Sequence, residues 1–124
     1  DYIYTSHFIE HLYKDEAEVL LKDCYRVLKS GGIFRIILPD LSHAIKMYLS
    51  GEKNKMLENY FFINRDEGFF AQHKYMYDFE MCKEILLKMG FKNINQHEFQ
   101  SGSCPDLKIL DNRPEESFYL EATK

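Results

Sequence analysis

Histidine and tyrosine side chains lie at two places in the sequence where they could take part in chemistry. Thr5, Ser6 and His7 follow an apolar segment directly, and His73, Tyr75 and Tyr77 precede a predicted helix. His7 is the candidate general acid or base, because an unperturbed imidazole titrates near neutral pH. Two alternatives stay open for His7: it lines the wall of a pocket, or it is neither an acid–base group nor part of the wall.

Glu10 and His11 form a second polar pair close to His7. As sequence neighbours on a helix their side chains would diverge, so a packing or hydrogen-bonding role is at least as good an interpretation as catalysis. His7 and His11 are four residues apart, which suits one helix face, but the sequence lacks the His-Glu-x-x-His pattern of zinc proteases. We therefore expect no metal site.

Two apolar strands joined by a helix open the chain. Residues 1–5 and 33–38 are nearly continuous in apolar residues, as in strands of a parallel sheet that are buried on both faces. The helix between them is predicted to begin at an N-cap, Asp15, with Glu18 completing a capping box, and to end at Gly31 and Gly32. Its apolar stripe is predicted to contain Ala17, Leu20, Leu21, Cys24, Val27 and Leu28.

The rest of the chain continues the alternation of helices and strands. Helices are predicted over residues 41–50, with Ile45, Tyr48 and Leu49 on one side, and over 56–63, followed by a break at 65–68. Another helix begins after the N-cap Asp78 and ends at Gly90. Strands follow at residues 92–99 and 117–122. The pattern predicts an α/β fold in which the first two strands are parallel and joined by a right-handed crossover.

Polar corners follow both parallel strands. Ser6 lies in the turn after the first predicted strand, and Asp40 lies in the turn after the second. Ligands of open α/β sheets bind beyond the carboxyl ends of the strands, so we expect Ser6 and Asp40 to share one rim of the molecule.

Three stretches of the sequence resemble the C-terminal half of class I S-adenosylmethionine-dependent methyltransferases: YIYTSHFIEHL, YRVLKSGGIFRIILPD and HKYMYDFEMCKEILLKMGF. The resemblance implies the fourth to seventh strands of a Rossmann-like sheet, in the order 4-5-7-6 with the last strand antiparallel. It also implies S-adenosylmethionine as cofactor. Thr5, Ser6 and His7 would then lie beside the cofactor, and Asp40, His73, Tyr75 and Tyr77 would face the acceptor.

The family's glycine-rich cofactor loop has no counterpart among the 124 residues. The resemblance therefore implies that residues 1–124 are a partial methyltransferase domain, a fragment that is inactive by itself and binds S-adenosylmethionine poorly. The expected function is that of part of a methyltransferase acting on a small-molecule or glycan-type acceptor. The alternative is a non-catalytic, degenerate half that serves as an interaction or dimerisation module.

Composition narrows the range of partners. A net charge of −4 gives no general electrostatic footprint for nucleic acid, and no apolar run reaches the length of a membrane span. Three widely spaced cysteines indicate free thiols and a cytoplasmic location. The first strand is apolar and would lie at an open sheet edge, so we expect a homo-oligomer formed through that strand.

Overall fold

Four strands form one mixed sheet in a computed structural model that describes residues 1–61, 68 and 71–124. The strands are β1 (Tyr2–Ser6), β2 (Ile33–Pro39), β3 (Lys92–His97) and β4 (Ser117–Thr123), and their order is β1-β2-β4-β3. β1 is parallel to β2, whereas β4 is antiparallel to both β2 and β3. The predicted α/β fold is confirmed. If β1, β2, β3 and β4 are the fourth, fifth, sixth and seventh strands, this order corresponds to the predicted 4-5-7-6. That these four are the fourth to seventh strands of a larger sheet stays a prediction.

Five α-helices and one 3-10 helix connect the described strands. The helices are α1 (Lys14–Val27), α2 (Leu41–Leu49), α3 (Lys53–Phe61), α4 (Phe79–Met89) and α5 (Leu107–Leu110), and the 3-10 helix is Ile9–His11. None of the helices in the described ranges is long and apolar enough to cross a bilayer.

The start of α1 differs from the prediction. The N-cap is Tyr13 and not Asp15, because Tyr13 has an extended backbone and its N–H donates to the Glu16 carboxylate at 2.9 Å. The predicted stripe is wrong at Val27, which is 58% exposed, whereas Leu28, the C-cap, is buried in the core as predicted. The glycine turn is confirmed: Gly31 has a φ of 77°, in the left-handed region that glycine adopts without steric cost.

The buried face of α2 is another correction. Ala44 and Met47 are buried, whereas Ile45, Tyr48 and Leu49, which were expected to share one apolar side, are exposed by about half or more. The helix predicted at residues 56–63 corresponds to α3, which begins earlier, at Lys53. Residues 62–67 lie outside the described residues, and with them the end of that predicted helix and most of the break expected at 65–68.

Both ends of α4 are confirmed. The Asp78 carboxylate accepts a hydrogen bond from Met81 N at 2.8 Å, as an N-cap does. Gly90 has a left-handed backbone with a φ of 101°. Phe91 N donates to Leu86 O at 3.1 Å, which is the 6→1 hydrogen bond of a Schellman motif.

The main core lies between one face of the sheet and the helices α1 and α4. β2 is the most deeply buried strand, and its Phe34, Ile36 and Leu38 belong to a cluster that includes Leu21 of α1 and Leu86 of α4. β1 was expected to be buried on both faces, but its residues are partly exposed. The reason is its position at the edge of the sheet, next to β2 alone among the described strands.

Charged residues occupy the opposite face of β2 and β4. Arg35, fully buried, contacts Asp111 at 2.5 Å and Glu121 at 3.4 Å. The Glu121 carboxylate also accepts hydrogen bonds from the backbone N–H groups of Ser103 and Cys104. This network attaches the loop before α5 to the sheet.

Arg35→Ala should lower the free energy of unfolding by about 3–5 kcal/mol, because it leaves two buried carboxylates without their cation. Urea denaturation measures the change. Arg26→Ala is the matched control: Arg26 pairs with Asp23 at 3.0 Å on the surface, and its loss should cost less than about 1 kcal/mol. Equal effects of the two substitutions would contradict the assigned role of the buried network.

Candidate functional site

The carboxyl ends of β1 and β2 meet at one edge of the sheet. Ser6 pairs with Ile37 in the parallel register, and the backbone N–H of His7 donates to Ile37 O at 3.0 Å. Asp40 follows Pro39, the last residue of β2. The prediction that Ser6 and Asp40 share one rim is confirmed.

His7 lies at the turn of this rim, with its imidazole between two polar partners. Its Nε2 is 2.9 Å from Ser117 Oγ, at the start of β4, and its Nδ1 is 3.5 Å from Glu10 Oε1. The side chain is 9% exposed. The contact with Ser117 orients the ring on one side, and the imidazole reaches solvent only at its margin.

Thr5 and Ser6 are partly exposed at the end of β1. Ser6 Oγ donates to the Asn112 side-chain oxygen at 3.3 Å, and the Tyr4 hydroxyl donates to Leu110 O. The segment that includes α5 therefore covers the corner from one side. The predicted contacts of Thr5 and Ser6 with a cofactor stay a prediction.

Asp40 has a clear structural role. Its carboxylate accepts a hydrogen bond from Ser42 N at 2.9 Å, so Asp40 is the N-cap of α2. Its own N–H donates to Glu116 O at 2.8 Å, which joins the end of β2 to the residue before β4. Contact between Asp40 and an acceptor stays a prediction.

Tyr75 and Tyr77 form an edge-to-face pair with ring centroids 5.0 Å apart. Tyr77 is a core residue with 2% of its surface exposed, and burial raises the pKa of its hydroxyl. Its carbonyl accepts a hydrogen bond from Leu41 N, beside Asp40. Tyr77 thus secures the start of α4 against the rim, and its predicted contact with an acceptor, like that of Tyr75, stays a prediction.

A buried carboxylate brings three histidines together beneath the corner. Glu10 is 1% exposed, and its Oε1 lies 3.5 Å from His7 Nδ1, 3.6 Å from His11 Nε2 and 4.0 Å from His73 Nε2. The sequence singled out His7, Glu10 and His11 together, but His73 is far along the chain and was assigned to a different cluster. The backbone supplies the link, because Lys74 N donates to Glu10 O at 2.7 Å.

Burial lowers the pKa of one member of this cluster, His73. Desolvation is the largest influence on His73, and it lowers the pKa of the imidazole to about 4, although the Glu10 carboxylate opposes the shift. His73 is therefore neutral at physiological pH. Both Glu10 carboxylate oxygens are buried and make no hydrogen bond within the described part of the chain.

Gly31 and Gly32 lie at the other end of the sheet from this corner. Gly31 N donates to Lys124 O at 2.9 Å, just before β2 begins, and a Cβ on Gly32 would lie 2.7 Å from the Leu28 side chain. These glycines shape a tight turn. The described residues contain no glycine-rich loop between a strand's carboxyl end and a helix, which is where phosphate groups of nucleotides bind in dinucleotide-binding folds.

Comparison with known proteins shows that this fold is similar to that of methyltransferases. A family model for a methyltransferase domain matches residues 1–36. A SAM-dependent methyltransferase from Archaeoglobus fulgidus superposes on 100% of the chain with a TM-score of 0.58 and 20% identity. The chain has a class I methyltransferase fold. The resemblance predicted from the sequence is thereby confirmed.

Two further relatives share this methyltransferase fold. One is a possible histamine N-methyltransferase from Thermotoga maritima, with 19% identity, 100% coverage of this chain and a TM-score of 0.59. The other is phosphoethanolamine N-methyltransferase 2 from Haemonchus contortus in complex with S-adenosyl-L-methionine, with 18% identity, 99% coverage and a TM-score of 0.52. The chain spans 59%, 56% and 33% of the three relatives' own lengths. No curated protein sequence matches it significantly.

Proposed function

We propose that the chain is part of an S-adenosylmethionine-dependent methyltransferase that acts on a small-molecule or glycan-type acceptor. The observation that carries this proposal is the polar corner where two parallel strands end, on a fold shared with methyltransferases. Methyl transfer is an in-line displacement, so a rigid corner that aligns donor and acceptor supplies much of what the reaction needs.

The corner offers different groups to the two ligands. Thr5, Ser6 and His7 would lie beside the cofactor, and Asp40, His73, Tyr75 and Tyr77 are the proposed acceptor side. The partial exposure of Thr5 and Ser6 supports their part in this assignment. Asp40 and Tyr77 also have structural roles, because Asp40 caps α2 and Tyr77 is a core residue.

We also propose that residues 1–124 are one portion of a larger methyltransferase domain, inactive when separated from the rest. The share of each relative that the chain covers supports this proposal, and the described residues contain no glycine-rich cofactor loop. Three free thiols support a reducing compartment, the cytoplasm.

The reading frame upstream of Asp1 is the decisive observation. A glycine-rich strand, loop and helix encoded there would support the enzyme, and an initiation codon just before Asp1 would favour a scaffold.

S-adenosylmethionine should bind this chain far more weakly than about 1 μM, because a site with one side loses most of its contacts with the cofactor. Isothermal calorimetry on the 124-residue chain measures this affinity. The control is the same titration on a form extended by a glycine-rich strand, loop and helix. Micromolar binding to the shorter chain would contradict the proposal of a split site.

In the active methyltransferase, His7→Ala should lower kcat by at least about tenfold while leaving the affinity for S-adenosylmethionine nearly unchanged. A group that accepts the acceptor's proton or orients the acceptor contributes in the transition state more than in cofactor binding. Steady-state kinetics with a panel of hydroxylated small molecules and one RNA acceptor, together with calorimetry, separates the two quantities. His43→Ala, an exposed histidine on α2, is the control. Equal losses of kcat and cofactor affinity would make His7 a wall of the pocket, and turnover of RNA alone would overturn the proposed acceptor class.

A second candidate function is that of a dimerisation module. β1 lies at the edge of the sheet, and no described strand pairs with its outer side. Its sequence, YIYTS, contains no charge or proline that would discourage pairing. We propose that this edge pairs with the same strand of a second copy.

Tyr2→Lys should shift the chain from dimer to monomer, because a charged side chain on an edge strand opposes pairing. Light scattering coupled to size exclusion, over a range of concentrations, measures the mass. Val19→Lys on α1 is a matched control, since Val19 is similarly exposed, at 61% against 53% for Tyr2. A monomer at high concentration before any substitution would contradict the dimer.

A further inference from the structure

The carboxylate of Glu10 is buried, and its ion-pair contacts among the described residues are three imidazoles. Glu10 is 1% exposed, and neither oxygen makes a hydrogen bond within the described residues. A buried carboxylate is costly unless cations or hydrogen-bond donors compensate it. An imidazole compensates a carboxylate only where it directs a proton at it.

The hydrogen bond made by His11 fixes which of its nitrogens carries a proton. His11 Nδ1 is 3.2 Å from the carbonyl oxygen of Gln72, and a carbonyl oxygen can only accept. Nδ1 therefore carries the hydrogen, and in a neutral ring Nε2, 3.6 Å from Glu10 Oε1, is the nitrogen that could bind a cation.

The same arrangement is usual for histidines that bind metals. A ligating imidazole commonly donates its other ring N–H to a backbone carbonyl, which orients the ring and fixes the tautomer. His73 adds a second imidazole, with a side chain that is 2% exposed and Nε2 4.0 Å from Glu10 Oε1. One ligand atom each from Glu10, His11 and His73 can be chosen so that all three lie within 4.8 Å of one another.

These separations fit a common ligand sphere. Metal–ligand distances of roughly 2.0–2.1 Å at tetrahedral angles place neighbouring ligand atoms about 3.3 Å apart. The Glu10 oxygen is 3.6 Å and 4.0 Å from the two imidazole nitrogens and all three ligand atoms lie within 4.8 Å, so the side chains would have to rotate inward to close the sphere. We infer that Glu10, His11 and His73 bind one divalent transition-metal ion of the zinc type.

The ligand set selects the class of ion. Two imidazoles and one carboxylate suit Zn²⁺ and Co²⁺, whereas Mg²⁺ and Ca²⁺ prefer oxygen ligands. Three protein ligands leave a position open, and His7 approaches the same carboxylate oxygen from the side of the rim, at 3.5 Å. The ion would also join the 3-10 helix to the segment before α4. The inference concerns metal binding alone, so it stands or falls independently of methyl transfer.

Titration of the chain with Co²⁺ tests the site directly. We expect a visible absorption band that saturates at one equivalent, and Zn²⁺ should displace it. Zn²⁺ at about a hundred times its Kd should also raise the thermal midpoint by several degrees, because it binds the folded chain selectively. No cobalt spectrum at about 0.1 mM metal would overturn the inference, and so would displacement of Co²⁺ by millimolar Mg²⁺.

Substitutions then assign the ligands. Glu10→Gln and His11→Gln should each weaken Co²⁺ binding by at least tenfold, while His43→Gln, on the exposed face of α2, should leave it unchanged. Circular dichroism verifies that each variant is folded. His11, whose side chain is 22% exposed, provides a tolerant variant if Glu10→Gln fails to fold. Equal affinity in His11→Gln and His43→Gln would show that the ion binds elsewhere.

Discussion

The parallel pairing of β1 with β2 is the constraint on which the rest of the structure depends. Five residue pairs, from Tyr2 with Ile33 to Ser6 with Ile37, bring the ends of both strands to one edge. The crossover through α1 follows from that pairing, since parallel neighbours cannot be joined by a short hairpin. The turn at His7 and the start of α2 are then neighbours regardless of the intervening sequence. Ser6, His7 and Asp40 owe their shared edge to this register.

Two buried charge clusters show different solutions to the same electrostatic problem. Arg35 carries a permanent charge and meets Asp111 and Glu121 on the face of the sheet away from the main core. Glu10 instead lies among imidazoles, whose charge depends on protonation or on a bound cation. A guanidinium fixes a loop permanently. A carboxylate among imidazoles leaves the positive charge to be supplied by a proton or an ion, which is an arrangement more typical of a functional site than of a structural one.

The fold was predictable from local patterns, and the site was predictable only in part. Apolar runs and the glycine turn indicated the two parallel strands, and Asp78 and Gly90 marked the ends of α4 because caps depend on a few adjacent residues. The exposed face of α2 was not predictable, since the partner of a short amphipathic helix is set by tertiary packing. His73 was separated from Glu10 for the same reason. Their contact depends on a backbone hydrogen bond between distant segments, which no spacing rule records.

His7 occupies a left-handed backbone conformation, with a φ of 48°. This conformation costs a residue with a Cβ about 1 kcal/mol or more of free energy, and it costs glycine almost none. Selection for stability alone would therefore favour glycine at position 7, and the gain would come at the expense of the imidazole. A library screened for heat resistance would enrich glycine there, whereas a library screened for activity would retain histidine if the ring takes part in function. Comparing the two libraries would show whether position 7 is constrained by the backbone conformation of the turn or by the chemistry of the imidazole.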